Sequence, residues 1–123
     1  MELDFLDEKL NKVIQEIIDI RRHIHAHPEL SGLEHQTAIL IAGYLKKIGW
    51  RVQESIGKTG LVAEFGPVQN GLIGLRVDMD ALPINENTGL KFSSKTDGIM
   101  HACGHDIHIS IGLGVAQLIK DLK

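Results

Sequence analysis

The sequence has one cysteine, little net charge and no long apolar run, and each scarcity excludes a class of protein. Cys103 alone cannot form an internal disulfide, so an oxidising compartment is not required. A net charge of -3 at pH 7 argues against nucleic-acid binding, because few phosphate counterions would be released. No segment approaches the roughly 18 to 20 apolar residues of a membrane span, and the acidic start MELDFLDEKL is unlike a signal peptide. We therefore expect a cytoplasmic protein that does not act at a membrane.

The chain is long enough for one domain, since it has 123 residues of which 43% are hydrophobic. Apolar residues recur at helical spacing from Leu3 to Ile24, and Pro28 disfavours a longer helix. A second helix is expected to open at Ser31 and Glu34, which have the spacing of a capping box. A third is expected after Asp106, where apolar residues again recur at helical spacing.

Three short runs between the second and third helices, WRVQESI, LVAEFG and LIGLRVDM, predict strands joined by tight turns. The third run is apolar almost throughout before Arg76, which is typical of an interior strand. Together these elements predict an α/β or α+β fold. Because the chain stops after a helix and leaves that interior strand unpaired, we expect a truncated domain.

The stretch IMHACGHDIH, residues 99–108, concentrates the chemistry of the chain. Cys103 and His105 can grip one metal ion only from a turn, and Gly104 supplies the backbone freedom for one. A thiolate and an imidazole suit zinc and the neighbouring transition metals. Two alternatives stay open: a small buried cysteine beside an ordinary polar histidine, or a cysteine nucleophile with His105 as its base.

Two further groups of polar residues are candidates. Asp78 and Asp80 follow the third predicted strand, so both can project into the crevice at the carboxyl edge of the sheet, as metal or supporting ligands or as loop carboxylates. In RRHIHAHPEL, His23 and His27 would share a helix face from which His25 is excluded. We therefore favour electrostatics at the helix terminus over a three-histidine metal site.

Three stretches, RRHIHAHPELSGLEHQTA, GLRVDMDALPINENTGLKFSS and GIMHACGHDIHIS, resemble in order the signatures of the M20 metallopeptidase and amidohydrolase family. The similar branch includes aminoacylases, hippurate hydrolases, N-acetyldiaminopimelate deacetylases and auxin-conjugate hydrolases. The resemblance implies that residues 1–123 are the N-terminal part of a two-metal, aminopeptidase-like catalytic domain, with helices packed on a mixed sheet. It also implies a missing lid domain, through which the family dimerises.

The implied activity is metal-dependent hydrolysis of the amide bond in N-acyl amino acids or similar small conjugates, as an amidohydrolase or carboxypeptidase. Cys103 and His105 match the first two ligands of a centre for two divalent ions, Zn, Mn, Co or Ni. Asp80 matches an aspartate that orients a metal-binding histidine, while Asp78 and Asp106 are expected as supporting residues. The general base, a glutamate, is expected in a part of the family beyond Lys123.

With only two ligands, the chain alone is expected to be inactive. The alternative is a non-catalytic remnant that acts as a small folded or partner-binding module. Apolar faces left open by missing strands would favour self-association or a homo-oligomer.

Overall fold

The computed structural model describes residues 2–69 and 71–123. These residues form three helices and one hairpin, in the order α1 Glu2–Ala26, α2 His35–Lys47, β1 Arg51–Ile56, β2 Gly60–Glu64 and α3 His105–Asp121. In this part of the chain no helix is both long enough and apolar enough to cross a bilayer.

The core lies where the three helices meet, because each contributes an apolar stripe to it. Its buried members are Ile17, Ile24, Ile41, Tyr44, Leu45, Ile48, Ile109, Leu113 and Ala116. Helix α1 packs closely on α3 at Gly114, where an added Cβ would lie 3.7 Å from Ile17. The indole of Trp50 donates a hydrogen bond of 3.3 Å to the carbonyl of Ala116 and so ties the start of the hairpin to α3.

The helix boundaries show which local sequence patterns correctly predicted where a helix begins or ends. Helix α1 ends at Ala26, before Pro28, as predicted. The prediction that α2 opens with a capping box was wrong, because α2 begins at His35 and Glu34 makes no side-chain cap. Glu34 instead accepts a hydrogen bond of 2.6 Å from the hydroxyl of Thr59.

The carboxylate of Glu29 caps α2 in place of the predicted box. It accepts hydrogen bonds from the amides of Gln36 and Thr37, at 3.0 and 2.6 Å, and from the Thr37 hydroxyl at 2.6 Å. A negative charge at the N-terminal end of a helix also interacts favourably with the positive pole of the helix dipole. The loop before α2 therefore supplies the cap that the sequence pattern placed within the SGLE stretch.

The predicted sheet is only partly present. The first two runs form the antiparallel hairpin β1–β2, with Val52 opposite Ala63. The predictions of a third, interior strand and of a mixed sheet were wrong for the described residues, because residues 71–80 pair with no strand there. A strand needs a neighbouring ladder of hydrogen bonds, and none is available here. Leu72, Ile73 and Leu75 are exposed, with Ile73 fully accessible, while Val77 and Met79 pack against the helical core.

Short backbone contacts position the residues that follow this segment. The amide of Ala81 donates a hydrogen bond of 2.8 Å to the carbonyl of Glu29, and Leu30 and Ala81 form an isolated parallel bridge. Leu82 and Met100 exchange two hydrogen bonds of 2.9 and 3.0 Å. Asp80 is thereby held where the chain returns towards α3.

Candidate functional site

The residues Cys103, Gly104 and His105 form the turn that leads into α3. Gly104 precedes the helix with a φ of 87°, a left-handed conformation that glycine adopts without strain. An added Cβ at Gly104 would meet no atom within 4 Å, so the backbone angle and not crowding requires glycine. Cys103 is exposed at the start of this turn, and His105 at its end is the first residue of α3. The turn thus places a thiol and an imidazole at the N-terminal end of α3.

Asp80 fixes the imidazole of His105. The Nδ1 atom of His105 lies 2.9 Å from the Asp80 carbonyl oxygen and 3.0 Å from Asp80 Oδ1. Both oxygens can only accept, so Nδ1 carries a proton and donates it, while Nε2 keeps the lone pair that binds metals. Metal-binding histidines in proteins commonly donate their other ring N–H to a carboxylate or a carbonyl in this way.

The donor set fits part of a metal centre. Thiolate and imidazole suit zinc and its neighbours, and the ring of His108 lies 5.9 Å from that of His105, centroid to centroid. Across residues 2–69 and 71–123, no three His, Cys, Asp or Glu side chains lie close enough to share one metal ion. Cys103 and His105 therefore stay predicted ligands that need further donors to complete a tight site.

Asp106, the next residue, is buried between α3 and α1. Its side chain is fully inaccessible, and its Oδ2 accepts hydrogen bonds of 2.8 Å from both Arg21 Nε and His25 Nδ1. Within the described chain no hydrogen bond joins Asp106 to Cys103 or His105. Asp106 therefore acts on the candidate ligands indirectly: it holds the first turn of α3, which carries His105, against α1.

His25 lies between two carboxylates. Its Nδ1 is 2.8 Å from Asp106 Oδ2, and its Nε2 is 3.0 Å from Glu86 Oε1. His25 thus joins α1 to the start of α3 through Asp106 and to the loop before α3 through Glu86. Arg21 donates to the same Asp106 oxygen and completes a network of Arg21, His25, Glu86 and Asp106.

Glu86 anchors the network to the loop before α3. It accepts hydrogen bonds of 2.6 Å from the Thr88 hydroxyl and 2.5 Å from the Ser94 amide, in addition to that from His25. Burial alone would raise the pKa of Glu86, but the hydrogen bonds from Thr88, His25 and Ser94 outweigh it and lower this pKa to about 2. The loop is thus held by an acceptor that stays ionised at neutral pH.

His101 is buried beside this network. Its ring centroid lies 6.5 Å from that of His25, and within the described residues neither ring nitrogen has a hydrogen-bond partner. Burial lowers the pKa of His101, although the negative charge of Asp106 opposes this shift. His101 is therefore a neutral imidazole near neutral pH.

The remaining sequence candidates lie apart from the Cys103–His105 turn. Asp78 is half exposed and accepts hydrogen bonds from Arg76 at 3.1 and 3.3 Å. Its carboxylate therefore has a partner other than the His105 imidazole that Asp80 contacts. His23 and His27 were predicted to share one helix face, but α1 ends at Ala26 and only His23 lies in it; their rings nevertheless stack with centroids 4.4 Å apart.

The sequence missed the network of Arg21, His25, Glu86 and Asp106. Its hydrogen bonds join residues 61 to 85 apart in the chain, so no local spacing relates Arg21 and His25 of α1 to the two carboxylates. The one available signal was His25 itself, a polar residue at a position where a helix face turns inward.

Comparison with known proteins places the chain in one family. Residues 74–123 match the model of peptidase family M20/M25/M40. A dinuclear metal-binding peptidase of the M20 family from Bacillus subtilis superposes with a TM-score of 0.82 at 42% identity, over 88% of this chain and 31% of that one. The chain belongs to the M20 peptidase family.

Curated relatives within the family differ in activity. Thermostable carboxypeptidase 1 of Saccharolobus solfataricus is 48% identical over 126 residues, which cover 95% of this chain and 32% of the relative. The N-acetyl-L-cysteine deacetylase of Bacillus subtilis is 46% identical over 113 residues, which cover 91% of this chain and 27% of the relative. The chain thus spans about a third of the length of these M20 proteins, and its mixed α/β arrangement matches part of the solved M20 peptidase structure.

Proposed function

We propose that this M20 chain contributes Cys103 and His105 as ligands to a two-metal centre that hydrolyses the amide bond of N-acyl amino acids or similar small conjugates. The observation that carries this proposal is the hydrogen bond from His105 Nδ1 to Asp80, which leaves Nε2 as the metal-binding nitrogen two residues after an exposed thiol. The deacetylase and carboxypeptidase relatives support a substrate of this class.

The residues of this chain would have separate tasks at such a centre. Bound divalent ions would lower the pKa of a coordinated water and polarise the substrate carbonyl. Asp80 keeps the proton of His105 on Nδ1, Gly104 allows the turn, and Asp106 holds the first turn of α3 against α1. We assign no general base within this chain.

Two protein ligands hold a metal ion less tightly than the three or four of complete sites. We therefore expect the 123-residue chain alone to bind metal weakly and to hydrolyse no N-acyl amino acid. Appreciable acylase activity of the purified chain with added Zn²⁺ or Mn²⁺ would contradict this part of the proposal.

Cobalt titration tests the ligand assignment without requiring activity. A Co²⁺ ion bound by a thiolate gives a ligand-to-metal charge-transfer band, which we expect in the wild-type chain and not in C103S. H105A should shift the midpoint of the titration to a higher Co²⁺ concentration. D80N should shift the same midpoint by about 10- to 100-fold, because it weakens the support of His105. D78N is the matched control, because it removes a charge from the same segment but from an Arg76 contact. An unchanged band in C103S would overturn the assignment.

A second candidate function, binding of a protein partner, is favoured by one observation. Leu72, Ile73 and Leu75 are exposed in a segment that has no strand partner in the described residues. Contiguous exposed apolar side chains of this kind mark contact surfaces. A chain that is monomeric at high concentration and inert to partners would argue against this function.

A further inference from the structure

The C-terminal end of α1 carries a second pair of imidazoles outside the predicted metal centre. His23 lies in the last turn of the helix, and His27 follows the last helical residue, Ala26, with its amide donating a hydrogen bond of 3.2 Å to the His23 carbonyl. Their rings stack with centroids 4.4 Å apart and planes inclined by 29°, and both side chains are exposed. His25, between them, is buried against Asp106 on another side of α1.

The nitrogens of this pair are available for a ligand. His27 Nδ1 lies 2.8 Å from the carbonyl oxygen of His23, so Nδ1 donates to it and Nε2 keeps its lone pair. In the part of the chain that is described, no hydrogen bond engages either ring nitrogen of His23. Partial burial, followed by the nearby His27 and Lys95, lowers the pKa of His23. The neutral imidazole, which is the form that binds metals, therefore predominates at neutral pH.

We propose that His23 and His27 form a two-histidine site for a borderline divalent transition-metal ion, separate from Cys103 and His105. Histidines four residues apart supply two ligands of the helical zinc motif, and here the His27 amide still bonds to the His23 carbonyl at the end of α1, which keeps the two rings together. Imidazole suits Ni²⁺, Cu²⁺ and Zn²⁺, and the hydrogen bond from His27 to a backbone carbonyl is the support that such ligands commonly have.

The site has a consequence for metal analysis of this chain. A total of two bound ions would not by itself indicate a dinuclear centre, because one ion could reside on α1. The charge of Lys95 acts near His23 and opposes a bound cation, so the affinity should be moderate.

Calorimetric titration with Ni²⁺ tests the site in the chain carrying C103S and H105A, which removes the other predicted ligands. We expect one binding event that weakens about tenfold or more in H23N, in H27N and in the double variant alike, because a chelate is lost when either ligand is lost. H35N, which changes an exposed histidine on α2, should leave the affinity unchanged. K95Q should tighten binding by about two- to threefold.

Two results would overturn the proposal: an unchanged affinity in H23N and H27N, or small additive losses typical of independent histidines. Circular dichroism of each variant checks that α1 is intact. Paramagnetic broadening by Ni²⁺ in the C103S/H105A chain gives a measurement that leaves His23 and His27 unchanged, and it should be centred on the amides of residues 23–27. Broadening centred elsewhere would contradict the site directly.

Discussion

Asp106→Asn tests the network that connects the candidate ligands to α1. Asparagine keeps the shape of the side chain but removes the charge that faces Arg21 and His25, at 2.8 Å each. Breaking a buried ion pair in this way costs about 3–5 kcal/mol. Arg21 is 27% exposed, so we take the lower end, about 3 kcal/mol.

The melting temperature should fall accordingly. An unfolding entropy of about 2.1 cal/mol/K per residue gives about 0.26 kcal/mol/K for 123 residues, so 3 kcal/mol corresponds to about 12 °C. Urea unfolding followed by circular dichroism measures the same change as a lower midpoint with an unchanged slope.

Glu8→Gln is the control for this prediction, because it removes an equal charge from an exposed pair with Lys12. Exposed pairs contribute little to stability, so the E8Q midpoint should match that of the wild type. A D106N midpoint equal to that of E8Q would refute the reasoning about the network.

Three further predictions follow from other positions. Because the pKa of Glu86 is about 2 in the folded chain against an ordinary 4.5, its stabilisation is complete above about pH 5 and is lost as the pH falls towards 2; E86Q should flatten this dependence in acid unfolding curves. G104A should lower the stability by about 1–2 kcal/mol, because φ is 87°, whereas G43A within α2 should raise it by up to about 1 kcal/mol in the same urea assay. Ile73→Lys should reduce self-association in light scattering, and equal masses for the variant and the wild type at high concentration would contradict a role for that surface.

Much of the helical architecture could be predicted because its signals are local. Pro28 helps to end α1 because it disfavours the helical conformation at the preceding residue, His27. The apolar periodicity after Asp106 predicted the position of α3. The start of α2 could not be predicted in the same way, because Glu29 reaches its amides from outside the helix. The spacing of Ser31 and Glu34 permits a capping box but does not enforce one when another carboxylate is nearer.

The predicted third strand shows where composition alone fails to predict structure. Residues 72–79 have the composition of an interior strand, but a strand also requires a neighbour, which composition cannot provide. For the candidate site, the turn at Gly104 followed from residue types, while the placement of Asp80 against His105 rested on a family resemblance. His25 and Glu86 were missed because their contacts depend on the packing of segments distant in sequence.

The most direct test of the proposed function is X-ray absorption at the zinc edge of the H23N/H27N chain, loaded with less than one zinc ion per chain. We predict one sulfur neighbour at about 2.3 Å together with imidazole nitrogen, and loss of the sulfur in C103S. A first shell made only of nitrogen and oxygen, unchanged by C103S, would contradict the assignment of Cys103 and His105 as metal ligands.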